Sequence, residues 1–439
     1  MEHKHLNAAA LERWLAMDRT ADQNEQLLHL LAVCPRCHEV GGWLLELHRA
    51  QALPSVFGLI DVAVARSRAE APGLLEELLS ADPEARLPLV LSDARFLSWG
   101  LCELLVSESR RAAPERASDA RHLADLAVHT ADLIPEGEAF EDEWIYQLRG
   151  LAWAGLGNAY RVQGDLTGAE GCFEMSDSWW EAGSEDVGDT LGYEPVLLTL
   201  KAPLRTAQRR FTEAIELLDR AVDLFLNGQP EHRDRHLAGR SLISKAFLFI
   251  EMGASAAAVQ ALKQADRLID PEREPRLRLC IHHNLADNLS KAGRHQEAAA
   301  LLPDLKDLAA AHGSAQDRLR LDWVEGRIAA GLGGDHERAG RLLAQVRRGF
   351  LDEGNAFDAA LAGLDLAVSH LGRGETEEVC KLAEEMATVF REVEIPREAL
   401  AALLLFREAA RRETATAALA REAAAALDRV RGSGATSCE

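Results

Sequence analysis

The sequence predicts an all-α protein built from repeated antiparallel helix pairs. One set of small and apolar residues recurs six times between residues 157 and 383, at spacings that fit a helix, a tight turn and a second helix. The composition agrees, because Ala and Leu dominate while only 3 Tyr and 14 Pro occur in 439 residues, a mix that favours helix over strand. We divide the chain into four parts, residues 1–50, 51–139, 140–395 and 396–439.

Residues 1–50 contain a motif with the spacing of a metal site. His29, Cys34 and Cys37 follow the pattern H-x4-C-x2-C, and the tight turn at Pro35 brings the two thiolates towards one ion. The alternatives are an unliganded cysteine pair beside an incidental histidine, and a dithiol redox pair, which is typical of a βαβ context.

The same segment resembles the zinc-binding anti-sigma domain of bacteria, whose pattern is a leading His or Cys followed by H-x3-C-x2-C. The resemblance implies a closed, structural Zn²⁺ site with four protein ligands, which are His5, His29, Cys34 and Cys37. His3 and His38 are close enough in sequence to compete as ligands. The resemblance also implies that this module sequesters a sigma factor. Zinc would stabilise a segment too short to fold alone, by on the order of 10 kcal/mol.

Helical periodicity continues on both sides of the central array. Residues 51–139 form a bridging region, in which residues 94–109 and 115–134 predict an atypical first helix pair. Residues 396–439 predict a last pair followed by a loose tail. The second helix of that pair is rich in Ala and carries charged residues, as expected of a capping helix.

The repeat itself occupies residues 140–395. Its clearest copy contains Gly157, Tyr160, Gly164, Ala169 and Phe173. With a period of roughly 40–45 residues, the second-helix position of Ala169 recurs as Ala214, Ala258, Ala298, Ala339 and Val379. Small residues allow the two helices to cross closely, and the turn position accepts a left-handed conformation when it is glycine, as at Gly164, Gly253, Gly293, Gly334 and Gly374. In the second copy that position is Arg209.

These offsets resemble the tetratricopeptide repeat (TPR), although the usual period of that family is about 34 residues. The resemblance implies a superhelical solenoid that binds protein partners on a concave face formed by the first helix of each pair. On the faces opposite the small packing positions, helical spacing places five polar candidates for partner binding, Asn158, Arg161, His283, Asp287 and Lys291. Long-helix variants resemble bacterial signalling regulators, including peptide-sensing ones.

The net charge and the absence of targeting and catalytic motifs limit the functions that the sequence allows. The net charge of −22 repels nucleic acid and anionic lipid, so we expect neither as a direct partner. The chain shows no secretion signal and no apolar run long enough for a membrane span. Seven scattered cysteines suggest free thiols in a reducing compartment, and we predict a cytoplasmic protein. Phosphate loops, nucleophile elbows and H-E-x-x-H motifs are missing, so we expect no enzymatic activity.

Two functions are compatible with this sequence. The first is a bacterial transcription regulator whose zinc module sequesters a sigma factor while the TPR array senses or recruits a protein or peptide. The second is a TPR receptor or adaptor with a purely structural zinc module. That receptor would bind a signalling peptide, or a protease or nuclease effector of a stress or defence system.

Overall fold

A computed structural model describes residues 56–137, 140–185, 188–189, 191–333, 336–392, 397–412 and 414–431. Within these ranges the chain forms eighteen α-helices and two short 3₁₀ turns, with no strand. The predicted all-α repeat fold is therefore confirmed. The predicted zinc ligands His5, His29, Cys34 and Cys37 lie outside the described residues.

The chain folds as two compact units that divide between Leu217 and Leu218, within the stretch assigned to the array. The described helices of unit 1 are α1 Val56–Ser80, α2 Pro83–Ser92, α3 Trp99–Ala112, α4 Ala117–Leu133, α5 Asp142–Val162, α6 Leu166–Ser184 and α7 Glu194–Ala207. Helix α8, Phe211–Asn227, begins in unit 1 and ends in unit 2. The further helices of unit 2 are α9 Arg235–Glu251, α10 Ser255–Asp266, α11 Pro275–Lys291, α12 His295–His312, α13 Ala315–Gly331, α14 His336–Asp352, α15 Ala356–Gly372, α16 Thr376–Glu392, α17 Arg397–Arg411 and α18 Ala417–Arg431.

Odd-numbered helices are the first members of the pairs and even-numbered helices the second. From α9 to α17, each second helix packs on its own first helix and on the first helix of the next pair. First helices also contact one another, α3 with α1 and α5 in unit 1, and α13 with α11 and α15 in unit 2. We call α11, α13 and α15 the first-helix row.

The crossing within a pair depends on one small residue facing a larger apolar one. A Cβ added to Gly157 would lie 2.9 Å from ring carbons of Phe173, and a Cβ added to Gly326 would lie 2.9 Å from the Leu343 side chain. In the other copies the small position is an alanine with at most 1% exposure, as at Ala202, Ala246, Ala286 and Ala367. The predicted role of Gly157 in close helix packing is confirmed, and the burial of the alanines is consistent with the same role.

Residues with a left-handed backbone conformation occur at the turn positions that the repeat predicts. In one turn the left-handed residue lies one position before the predicted glycine. Gly164, Gly253, Gly293 and Gly374 have φ values of 85°, 72°, 75° and 75°. Between α13 and α14 the left-handed residue is Gly333, with φ of 74°, and the expected Gly334 lies outside the described residues. Arg209 has φ of 62° at the equivalent position in unit 1, although a side chain is disfavoured there.

Three of the described cysteines, Cys102, Cys172 and Cys380, are free thiols. Burial raises the pKa of the Cys172 thiol to about 11, so this side chain is a core group and not a reactive thiolate.

Replacement of Gly157 by Ala tests the close crossing of α5 and α6. We expect Gly157→Ala to lower the free energy of unfolding by about 1–3 kcal/mol, because the added methyl overpacks against Phe173. The matched control is Gly171→Ala on α6, where a Cβ meets nothing within 4 Å and should stabilise the helix by about 0.5–1 kcal/mol. Urea denaturation of both variants measures the difference, and equal effects would contradict the packing.

Candidate binding face on the first helices of unit 2

Three consecutive residues of α13 point in three directions because successive side chains of a helix are about 100° apart. Gly326 faces Leu343 on α14. Glu325 is 6% exposed and pairs with Lys306 of α12 at 2.8 Å and Arg338 of α14 at 2.6 Å. Arg327 therefore points away from the second helices and towards the neighbouring first helices α11 and α15.

Arg327 lies between two carboxylates from those neighbouring helices. Its Nη1 donates to Oδ1 of Asp287 on α11. On the other side, Nη2 and Nε donate to Oδ2 of Asp365 on α15 at 2.7 and 3.0 Å. The Asp365 oxygen also accepts from Nε1 of Trp323 at 2.8 Å, and Lys291 lies 3.3 Å from Oδ2 of Asp287. We call Asp287, Lys291, Trp323, Arg327 and Asp365 the Arg327 cluster.

The cluster is partly buried and electrically balanced. Asp287 and Arg327 each have 18% of their side-chain surface exposed, and Asp365 has 16%. Burial acts to raise the pKa of Asp287, but the positive charges of Lys291, Arg327 and His283 outweigh it and hold that pKa well below its usual range. The Asp287 carboxylate therefore stays ionised at neutral pH. Trp323, 5% exposed, holds the guanidinium 5.2 Å from its ring centroid.

Among the described residues, one acceptor oxygen of the cluster receives no hydrogen bond. Asp365 uses Oδ2 for all three of its hydrogen bonds, and Oδ1 accepts none from any described residue. An ionised carboxylate can accept several further donors. This arrangement can bind an N–H or ammonium group that approaches the first-helix row from solvent.

The five predicted partner-binding residues lie in two places. His283, Asp287 and Lys291 share one side of α11, at successive i, i+4 positions, and two of them belong to the Arg327 cluster. Asn158 and Arg161 lie on α5 in unit 1, where Arg161 donates to Oδ1 of Asn158 from Nη2 and Nε at 2.9 and 3.2 Å. Asn158 is buried, with 7% exposure, and does not lie on an open surface. Partner binding by all five remains a prediction.

The sequence analysis missed Trp323, Arg327 and Asp365. A signal was present, because Arg327 follows Asp287 by one repeat period and carries the opposite charge. Residues one period apart occupy similar places on successive first helices. A search for opposite charges at the repeat spacing would have found this pair.

The described residues contain neither a metal-binding cluster nor a helix that could span a membrane. No group of three or more His, Cys, Asp or Glu side chains there is arranged to hold a metal ion. None of the described helices is both long and apolar enough to cross a membrane. The predicted Zn²⁺ site lies in the part of the chain that the structure does not describe.

Comparison with known proteins finds similar solved structures but no matching family. No family model and no curated protein matches the chain. A solved Rap protein complexed with Competence and Sporulation Factor has 14% identity and a TM-score of 0.49, over 74% of this chain and 85% of that one. A putative kinesin light chain of Podosopora anserina with nearly identical TPR-like repeats has 20% identity and a TM-score of 0.35, over 48% of this chain and 97% of that one. These values define no function for this chain.

Replacement of Arg327 tests how much the Arg327 cluster contributes to the stability of the fold. We expect Arg327→Met to lower the free energy of unfolding by about 2–3 kcal/mol, because it leaves two partly buried carboxylates without their shared cation. The control is Arg341→Met on α14, whose pair with Glu337 is 67% and 75% exposed and should contribute less than about 1 kcal/mol. Chemical denaturation measures both variants. An Arg327→Met effect as small as that of the control would show that the cluster contributes little.

Proposed function

We propose that this chain is a non-enzymatic regulatory protein that binds a peptide segment of a protein partner on the first-helix row of unit 2. The observation that supports this most is the Arg327 cluster. It places two carboxylates, two cations and an open acceptor at the surface of neighbouring first helices. A peptide offers the complementary groups, which are main-chain N–H and C=O groups and charged side chains.

The cluster is suited to recognition because its charges are already in place. Arg327 is fixed by two carboxylates and by the Trp323 ring, so a ligand that pairs with these groups orders few side chains on binding. Preorganisation of this kind lowers the entropic cost of association. The acidic chain as a whole favours a neutral or basic segment over a nucleic acid.

Sigma-factor sequestration by residues 1–50 is a second candidate. It is favoured by the H-x4-C-x2-C motif of His29, Cys34 and Cys37 and by the leading His5. In this case the zinc module binds the sigma factor and the array senses a second partner. Where the zinc module is only structural, the chain is a receptor or adaptor for a signalling peptide or for a protease or nuclease effector.

Affinity purification of the tagged full chain from its native host separates these two candidate functions. We expect a protein or peptide recovered with the tagged full chain to fall about fivefold or more with His283→Ala/Lys291→Ala, because these residues lie on the proposed face. The control is Arg341→Ala/Lys381→Ala, whose side chains are 67% and 54% exposed on second helices. Equal recovery with both double variants would contradict binding at this face. A sigma factor that is lost only with Cys34→Ser/Cys37→Ser would instead support the second candidate.

Metal analysis tests the zinc module directly. We expect about one equivalent of zinc in the purified chain, because the implied four-ligand site is closed. Cys34→Ser/Cys37→Ser should lose it, whereas Cys172→Ser, which removes a buried thiol on α6, should keep it. Less than about half an equivalent in the unmodified chain would contradict the zinc site.

A further inference from the structure

A small hollow lies between helices α11, α12 and α13, close to the Arg327 cluster. The apolar part of its lining comes from all three helices, through Leu279, Cys280, Leu305 and Leu321. These four side chains are buried. The polar part of its wall comes from the two first helices, through His283, Asp317 and Arg320. The hollow therefore offers an apolar floor beneath polar side chains of α11 and α13.

The hollow and the Arg327 cluster belong to one groove between α11 and α13. Residues seven apart on a helix point within about 20° of each other, so Arg320 and Arg327 lie on the same side of α13. They are roughly 10 Å apart along the helix axis. On α11, His283 precedes Asp287 by about one turn, and Asp287 accepts from Arg327 across the groove. The groove therefore leads from the hollow to the Asp287–Arg327 pair.

Asp365 lies beyond Arg327, on the far side of α13. Its Oδ2 accepts hydrogen bonds from Trp323 and Arg327, whereas Oδ1 accepts none from the described residues. The side chain is 16% exposed. Because donors surround Oδ2, solvent reaches the carboxylate mainly at Oδ1. A group that binds there must be a hydrogen-bond donor, and a cation is favoured because the acceptor is an anion.

The separation of the hollow and Asp365 fits an extended peptide segment. The path between them follows about two turns of α13 and crosses that helix, roughly 10–15 Å in all. An extended chain advances about 3.3 Å per residue, so roughly three to five residues cover this path. Since the hollow is small and has an apolar floor, it accepts a small apolar side chain such as that of Ala, Val or Pro.

We propose that this groove is a two-point site for an extended segment of the protein partner. A small apolar side chain of the segment enters the hollow, and a Lys or Arg roughly three to five residues away donates to Oδ1 of Asp365. The inference rests on the proposed function, because it names the chemistry of the segment that the first-helix row binds. Trp323 and Arg327 already fix the Asp365 carboxylate, so little order is lost on binding. An acidic residue at the same point would be repelled.

The probe for this site is a phage-displayed library of random linear peptides, selected on the full chain. We expect enriched sequences to combine a Lys or Arg with a small apolar residue at the proposed spacing. A synthetic peptide of the enriched sequence is then measured by fluorescence anisotropy. Asp365→Asn keeps an oxygen for Trp323 and Arg327 but turns an NH₂ group towards the ligand, and it should weaken binding at least about tenfold. Asp304→Asn, which removes the same charge from an exposed site on α12, should leave binding unchanged.

A double-mutant cycle assigns this loss to the proposed pair. Replacement of the basic residue of the peptide by Met should weaken binding to the unmodified chain at least about tenfold, but should have little further effect on Asp365→Asn. Leu279→Phe enlarges a side chain that lines the hollow. Replacement of the small apolar residue of the peptide by Gly should weaken binding to the unmodified chain and have little effect on Leu279→Phe. Both peptide changes leave the fold of the protein untouched.

The outcomes separate this inference from the proposed function. Peptides that lose affinity with His283→Ala/Lys291→Ala but bind Asp365→Asn as tightly as the unmodified chain would overturn the two-point site and leave the proposed function intact. A peptide that tolerates Met at its basic position and Gly at its apolar position would also overturn the two-point site. If no peptide is enriched, or if the enriched peptides bind all variants equally, both the two-point site and the proposed function are contradicted.

Discussion

The close crossing of the two helices in each pair is the constraint on which the rest of this structure depends. A glycine or alanine on the first helix meets a larger apolar residue of the second, as Gly157 meets Phe173 and Gly326 meets Leu343. Because that contact fixes how each first helix is rotated, it also fixes which residues turn towards the neighbouring pairs. On α13 it directs Glu325 to the second helices and Arg327 to the first-helix row.

Charged side chains lie on the sides of each first helix that do not take part in the apolar crossing. Glu325 joins α12, α13 and α14, and Arg327 joins α11, α13 and α15. In unit 1, Arg205 of α7 plays a comparable part, because its hydrogen bonds to Glu170 of α6 lower the pKa of that carboxyl to about 2. In the Arg327 cluster, Oδ1 of Asp365 accepts no hydrogen bond from the part of the chain that the structure describes.

Prediction from sequence succeeded where each residue acts within one repeat. The small crossing residue Gly157 and the turn glycines Gly164, Gly253, Gly293 and Gly374 followed from the alignment of copies, because local sterics dictate them. The left-handed conformation of Arg209 was not predicted, because a side chain is disfavoured there. Trp323, Arg327 and Asp365 were missed because their cluster forms between first helices of different repeats, which lie a full period apart in the sequence. The packing of α18 on α15 was missed as well, since an alanine-rich helix suits a solvated cap and a buried cover equally well.

The most direct test of this account is a double-mutant cycle at the α5–α6 crossing. Three other copies have Ala and Leu at the sequence spacing that separates Gly157 from Phe173, as Ala202/Leu218, Ala246/Leu262 and Ala286/Leu302. Gly157→Ala combined with Phe173→Leu recreates that pair. The account predicts that Phe173→Leu removes most of the cost of Gly157→Ala, with a coupling of about 1 kcal/mol or more in the free energy of unfolding. Additive effects of the two substitutions would contradict a crossing governed by matched residue sizes.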